Sequence, residues 1–202
     1  NYPSIHFERY ADDIVVHCRS RQQLEWIKGR IEERLRRCKL SLNPSKTRVV
    51  YCKDSRRTED WSCHSFDFLG YTFRPRSARN HRGELFVSFS PAISRKAART
   101  LRQKIRRDWK LPSRTYLSLK ELSLRLNPVI IGWINYYGRF CRSSLHSVLD
   151  RINTALAKWA MRKFKRLRRR KTRAYAWLKG VARRSPQLFV HWSYQSWMTR
   201  AV

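Results

Sequence analysis

The spacing of apolar residues changes near residue 90, and this change constrains the fold more than any other feature of the sequence. Between residues 5 and 89, short β-like runs surround one helical pattern. From Pro91 onward, apolar residues recur at spacings of three and four, which predicts helices. We therefore predict an α+β chain in which antiparallel strands with a covering helix precede an all-α bundle of three helices.

The part before residue 90 is predicted to hold a hairpin, a helix and further strands. Residues 7–16 predict a hairpin with one buried face. A helix capped near Ser20 should follow, and a turn at residues 43–45 should lead into a strand at residues 47–52. A strand or small hairpin is predicted at residues 65–73, with a bend at Gly70. A last strand, residues 85–89, should follow a basic loop that contains Arg74, Arg76, Arg79 and Arg82.

The part after residue 90 is predicted to hold three helices. The first spans about residues 91–109, because proline is tolerated in a first helical turn. The second begins near Tyr116, and we expect Pro128 to force a boundary or a kink in it. The third carries the clearest apolar stripe, from Leu145 to Phe164. The expected domain boundary lies between residues 89 and 90.

Charge restricts the partners that this chain can have. Lysine and arginine number 46 against 14 acidic residues, so the net charge is +32 and a polyanionic partner is expected. Nucleic acid fits best, and a membrane surface is the weaker option. An apolar fraction of 42% is too large for a disordered basic tail. The sequence has no apolar run long enough to span a bilayer, and its cysteines are odd in number without CxxC pairs, so we expect a cytoplasmic protein.

Positive charge is concentrated between residues 162 and 173. Nine of these twelve residues are basic, and Asp150 is the last acidic residue of the chain. A solvated helix face normally mixes both signs, so this run predicts a surface that contacts phosphates. The expected RNA-binding residues are Arg162, Lys163, Lys165, Arg166, Arg168, Arg169, Arg170, Lys171 and Arg173. Nearby aromatic side chains could stack on bases or pack in the core, namely Trp159, Tyr175 and Trp177.

Two adjacent carboxylates, Asp12 and Asp13, lie at the expected tip of the first hairpin. Carboxylate oxygens are preferred ligands of Mg²⁺, and a pair of such ions can promote an in-line phosphoryl transfer. The dipeptide is also ordinary turn chemistry, so both interpretations stay open here.

Four blocks of the sequence resemble reverse transcriptases, in the order in which that family has them. The hairpin tip reads Tyr10-Ala11-Asp12-Asp13, which resembles the palm motif of the family. Residues 40–47 (LSLNPSKT) are similar to the next palm motif, and residues 68–71 (FLGY) to the following one, which grips the primer. Residues 126–137 (LNPVIIGWINYY) closely resemble the thumb or maturase domain of bacterial group II intron-encoded proteins.

The resemblance implies a role for each matching residue. Asp12 and Asp13 would be catalytic Mg²⁺ ligands, and Lys46 would protonate the departing pyrophosphate, unless it is one more surface lysine. Tyr10 and Ala11 would lie near the primer terminus and the template. The remaining expected primer contacts are Phe68, Leu69, Gly70 and Tyr71.

The resemblance also implies an activity, its partners and a missing part. Residues 1–89 would be a partial reverse transcriptase palm, and residues 90–202 a thumb or maturase domain. The partners would be group II intron RNA, an RNA template with a DNA primer, and deoxynucleoside triphosphates. Another metal-binding aspartate of the family would lie before Asn1, so we expect residues 1–202 alone not to synthesise DNA. The alternatives are a non-catalytic RNA-binding splicing factor and a reverse transcriptase of another lineage, such as a defence-associated one.

Overall fold

A computed structural model of the chain describes residues 5–59 and 61–195. The chain divides into two compact units, one of residues 1–51 with 61–63 and the other of residues 52–60 with 64–202. Strands dominate the first part of the chain and helices the second, so the predicted α+β fold class is confirmed. The boundary expected between residues 89 and 90 from the change in apolar spacing stays a prediction.

The first unit begins with the predicted hairpin. Strands β1 (Phe7–Tyr10) and β2 (Asp13–Val16) pair antiparallel around a two-residue loop. The prediction of one buried face is wrong, because all of β1 is exposed and only Val15 and Val16 of β2 are half-buried. Two strands form a single layer, and an apolar face is buried only where a second layer covers it.

Helix α1 (Arg21–Arg37) follows the hairpin where the sequence predicts it. Ser20 caps it, because its hydroxyl accepts a hydrogen bond from the backbone N–H of Gln23 at 3.2 Å. The strand predicted at residues 47–52 is wrong. Among the described residues, one backbone hydrogen bond links this segment to another, from the N–H of Tyr51 to the carbonyl of Cys63. A strand pair needs a series of such bonds.

The second unit contains a three-stranded antiparallel sheet in the order β3 (Phe66–Phe68), β4 (Tyr71–Arg79), β5 (Leu85–Ile93). The bend predicted at Gly70 is confirmed as the turn between β3 and β4. The predicted basic loop is wrong in part, because β4 includes Arg74, Arg76 and Arg79, and only Arg82 lies in a turn. Both long strands contain proline, which sequence analysis treats as a strand breaker. Pro91 fits because β5 is an edge strand.

Helix α2 (Arg95–Arg107) begins later than predicted, since residues 91–93 belong to β5. Ser94 sets its start by accepting a hydrogen bond from the backbone N–H of Ala97 at 3.1 Å. The buried side of the helix consists of Ala98, Leu101 and Ile105.

Helix α3 (Leu119–Tyr137) is continuous, so of the boundary or kink predicted at Pro128 the boundary is absent, and the kink stays a prediction. A capping box of Ser118 and Glu121 starts the helix. Pro128 is exposed, and so is Leu124, whose carbonyl would otherwise accept the bond that proline cannot donate. Water can bond to that carbonyl, which explains why the helix tolerates the proline.

Helix α4 (His146–Lys163) is the centre of the core, and its predicted stripe is confirmed. Helices α5 (Lys171–Arg184) and α6 (Val190–Gln195) extend the helical part beyond the three predicted helices. The buried side of α5 is Ala174, Leu178 and Ala182, and two alanines in three positions give a weak apolar signal. Among the described residues, no helix is long and apolar enough to cross a membrane.

A buried polar cluster joins α6 to α4. The side-chain oxygen of Asn153 accepts hydrogen bonds from Nε2 of His191 at 2.8 Å and from Nε1 of Trp192 at 2.9 Å. Burial lowers the pKa of His191 to about 3, because the low-dielectric core disfavours the imidazolium.

Stability should therefore depend on pH through His191. Its side chain is neutral in the folded chain and takes up a proton on unfolding once the pH falls below the ordinary value of 6.5. Lowering the pH from 6.5 to 4.5 should reduce the free energy of unfolding by about 2 kcal/mol. Urea titrations at several pH values measure this, and His191→Gln should flatten the dependence.

The matched control is His81→Gln, which changes an exposed turn residue and should retain the full pH dependence. An unchanged pH dependence in His191→Gln would contradict the assignment to the buried cluster.

Candidate active site and nucleic-acid interface

The tip of the first hairpin exposes both predicted metal-binding carboxylates. Asp12 is in the two-residue loop, and Asp13 opens β2 opposite Tyr10, whose side chain is 63% exposed. Ala11 has a φ of 54°, in the left-handed region that costs a residue with a Cβ about 1 kcal/mol. This conformation was not predicted, although a two-residue loop generally requires it.

Asp12 and Asp13 are unpaired among the described residues. Other carboxylates do find basic partners, since Glu8 bonds to His17 and Asp54 pairs with Arg57. Two adjacent free carboxylates in a chain of charge +32 fit Mg²⁺, which prefers oxygen ligands. The described residues hold no group of three or more His, Cys, Asp or Glu side chains that could bind a metal.

The turn that carries Lys46 lies in the same unit. The side-chain oxygen of Asn43 accepts from the backbone N–H of Ser45 at 3.0 Å, which confirms the predicted turn. The backbone N–H of Lys46 donates to the Asn43 carbonyl, and its side chain is exposed. The proposed proton transfer from Lys46 stays a prediction.

The turn between β3 and β4 is held from two sides within the second unit. Leu69 and Gly70 have φ values of 49° and 79°. The Gly70 carbonyl accepts from the backbone N–H of Ser94 at 2.8 Å, and the Leu69 carbonyl accepts from the hydroxyl of Tyr136 at 2.8 Å. Of the four expected primer contacts, Tyr71 is buried and Phe68 and Gly70 are half-buried, so only the side chain of Leu69 is exposed.

Gly70 is required by its surroundings as well as by its φ. A Cβ at this position would lie 3.1 Å from the hydroxyl of Tyr137 and 3.3 Å from its ring. Gly83 offers a contrast, because its φ of 85° is similar and a Cβ there would meet nothing within 4 Å.

The basic run at residues 162–173, here the basic connection, joins α4 to α5. α4 ends at Lys163, a short turn of 3₁₀ helix spans Lys165–Leu167, and Arg169 has a φ of 61°. Leu167 is buried and anchors the connection to the core. The exposed basic residues of the connection are Arg162, Lys165, Arg166, Arg168, Arg169, Arg170, Lys171 and Arg173.

Lys163 differs from its neighbours in the basic connection. It is half-buried, and its ammonium group donates to the carbonyls of Thr115 at 2.8 Å and Leu117 at 2.7 Å. The same group lies 5.4 Å from the centre of the Trp159 ring. These contacts occupy it within the protein, which makes RNA contact by Lys163 less favourable than contact by the exposed residues.

The three aromatic residues near the basic connection pack inside the unit. Trp159 is 1% exposed and donates its Nε1–H to the carbonyl of Arg114. The hydroxyl of Tyr175 donates to Thr154, and the ring of Trp177 lies 5.1 Å from that of Phe164. Core packing is therefore the better of the two interpretations that the sequence left open.

A second basic surface was missed by the sequence analysis. Helix α2 contains seven basic residues in thirteen and no acidic one, and six of the seven are exposed. The signal was present in the sequence as a run without negative charge, comparable to the one at residues 162–173.

Comparison with known families agrees with the two parts of the chain. Residues 1–73 match the reverse transcriptase (RNA-dependent DNA polymerase) family, and these include the hairpin and the Leu69–Gly70 turn. Residues 98–177 match the group II intron, maturase-specific domain, and these include α3 and α4. No curated protein and no solved structure matches the chain.

The two matches define the class as an RNA-dependent DNA polymerase with an appended helical maturase domain. The chain belongs to the group II intron reverse transcriptase and maturase family. The resemblance found in the sequence is thereby confirmed. Reverse transcriptases generally use Mg²⁺, and proteins with these two domains generally engage intron RNA and a template with its primer.

Replacing Gly70 and Gly83 in turn separates the effect of the positive φ at Gly70 from the effect of its close contact with Tyr137. Gly70→Ala should lower the free energy of unfolding by about 2 to 3 kcal/mol, from both backbone strain and contact with Tyr137. Gly83→Ala should cost about 1 kcal/mol, from strain alone. Urea denaturation measures both values, and equal losses would show that the Tyr137 contact carries no weight.

Proposed function

We propose that this chain contributes two metal-binding carboxylates and a primer-contacting turn to the copying of RNA into DNA, and an RNA-binding surface to intron splicing and mobility. The observation that carries the proposal is that adjacent Asp12 and Asp13, on one hairpin tip of a strongly positive chain, have no partner among the described residues. The turn carboxylate of Asp54, by contrast, pairs with Arg57.

Asp12 and Asp13 would hold Mg²⁺ together with a carboxylate from outside the described residues. Bound Mg²⁺ would activate the primer hydroxyl and stabilise the departing oxygen. Exposed Tyr10 and Ala11 flank the carboxylates on the same hairpin, where a primer terminus and a template base would lie. Lys46 would give a proton to the pyrophosphate, which suits an exposed ammonium group near phosphate.

The turn of Leu69 and Gly70 would contact the primer strand through its backbone. Phe68 and Tyr71 flank the turn; Phe68 is half-buried and Tyr71 is buried. Their part in primer contact would therefore be to support the turn, while Leu69 presents its exposed side chain.

The basic connection would bind intron RNA through phosphates. Its eight exposed cations have no carboxylate later in the chain to neutralise them, because Asp150 is the last acidic residue. Phosphate contacts of this kind fix a protein on RNA without reading its sequence. The setting that we propose is the bacterial cytoplasm, with deoxynucleoside triphosphates as the substrates of synthesis.

Asp12→Asn tests the metal site in the full-length protein. The substitution removes a charged ligand and keeps the size of the side chain, so primer extension should fall by at least about a thousandfold while the affinity for intron RNA stays within about twofold. The control is Glu25→Gln, another exposed carboxylate without a described partner, which should change neither. Unimpaired DNA synthesis by Asp12→Asn would rule out the proposed role and favour a non-catalytic RNA-binding protein.

Reversing the charge of Arg168, Arg169 and Arg170 to glutamate tests the basic connection. Losing three phosphate contacts should weaken the binding of intron RNA by at least about a hundredfold in 0.1 M salt, measured by filter binding. The same change at three exposed arginines elsewhere should have a much smaller effect, at Arg19, Arg36 and Arg48. Equal losses in both variants would mean that net charge alone governs binding.

A further inference from the structure

Two tyrosines tie the Leu69–Gly70 turn to the end of α3 by a reciprocal exchange of hydrogen bonds. The hydroxyl of Tyr136, near the end of α3, donates to the carbonyl of Leu69 in the turn at 2.8 Å. The hydroxyl of Tyr71, the residue after the turn, donates to the backbone carbonyl of Tyr136. We call Tyr71 and Tyr136 the tyrosine pair.

Aromatic packing keeps the tyrosine pair in place. The ring of Tyr71 lies 5.3 Å from that of Tyr136, 5.7 Å from that of Tyr137 and 5.5 Å from that of Phe140. These distances are in the range where aromatic pairs attract each other. Burial raises the pKa of Tyr71, so its hydroxyl stays protonated and able to donate at neutral pH.

The tyrosine pair changes what the turn can offer to a ligand. The Leu69 carbonyl is taken by Tyr136 and the Gly70 carbonyl by the backbone N–H of Ser94. For the N–H groups of Leu69 and Gly70 the described part of the chain supplies no acceptor. With its acceptors bound internally and its donors free, the turn suits an anion such as a phosphate.

We propose that Tyr136 is a positioning residue for the primer strand: it holds the Leu69–Gly70 turn so that the two backbone N–H groups of the turn donate to a phosphate oxygen. This inference rests on the proposed function, in which the turn contacts the primer. It adds that a residue of the maturase match sets the geometry of a turn in the reverse transcriptase match.

The hydroxyl of Tyr136 can be removed without disturbing the rest of the second unit. Tyr136 is 46% exposed, so removing its hydroxyl leaves the core intact, and the ring can keep its contact with Tyr71. Without that bond the Leu69 carbonyl can turn outward. A carbonyl oxygen facing a phosphate repels it, so the affinity for the primer strand should fall while folding is preserved.

Tyr136→Phe tests the inference in the 202-residue chain. Fluorescence anisotropy with a recessed RNA template and DNA primer should show about a fivefold loss of affinity, the factor that corresponds to about 1 kcal/mol. Tyr71→Phe removes the reciprocal bond and should act in the same direction. The control is Tyr116→Phe, a 74% exposed tyrosine without a described hydrogen bond, which should bind as the unchanged chain does.

Two further measurements separate positioning from a general loss of structure. Amide hydrogen exchange at Leu69 and Gly70 should slow when the duplex binds, and Tyr136→Phe should remove this protection without lowering the thermal midpoint by more than a few degrees. Binding of single-stranded intron RNA should stay within about twofold, because it uses other surfaces.

The outcomes distinguish this inference from the proposed function. Failure of the unchanged chain to bind the duplex would count against the proposed primer contact itself. If the unchanged chain binds the duplex tightly and Tyr136→Phe and Tyr71→Phe bind it with the same affinity, the inference is overturned while the proposed primer contact stands. Equal loss of duplex and single-stranded RNA affinity in Tyr136→Phe would also overturn it, since positioning at the turn predicts a selective effect.

Discussion

Burial of α4 is the interaction on which the second unit depends, because it opposes a large electrostatic repulsion. Residues 90–202 contain 28 basic and 3 acidic residues. Val148, Leu149, Ile152 and Leu156 of α4 are fully buried. Each such side chain contributes about 1.5 to 3 kcal/mol, whereas repulsion between exposed like charges is screened to about 1 kcal/mol or less per close pair. Burial of the apolar core therefore outweighs the repulsion between the positive charges on the surface.

The hairpin tip and the Leu69–Gly70 turn expose backbone and side-chain groups of opposite polarity. The hairpin tip presents Asp12 and Asp13 without partners among the described residues, and in our proposal their oxygens bind a cation. In the Leu69–Gly70 turn both carbonyls accept hydrogen bonds, whereas the two N–H groups have no acceptor within residues 5–59 and 61–195. In the function that we propose, the carboxylates bind Mg²⁺, the turn binds a primer phosphate, and the basic connection binds intron RNA.

The sequence predicted elements whose signals are local and missed those that depend on distant partners. The first hairpin, the Ser20 cap and the bend at Gly70 were predicted because each is set by a few adjacent residues. The strand expected at residues 47–52 has the right alternation, but no strand among the described residues pairs with it. Pro128 lies inside a helix at an exposed position, which the local sequence pattern did not indicate. The role of Tyr136 depends on a carbonyl 67 residues away.

The central claim is that the positively charged surface binds a polyanion, and the salt dependence of intron RNA binding tests this claim most directly. Affinity should be measured by filter binding from 0.05 to 0.5 M potassium chloride, with Mg²⁺ held constant. Eight exposed cations in the basic connection, each contacting one phosphate, predict a slope of log K against log salt of about −6 to −7, since each contacted phosphate contributes about −0.7 to −0.9. A slope between 0 and about −1 would mean that this charge is solvated and does not contact RNA phosphates, which would contradict the account.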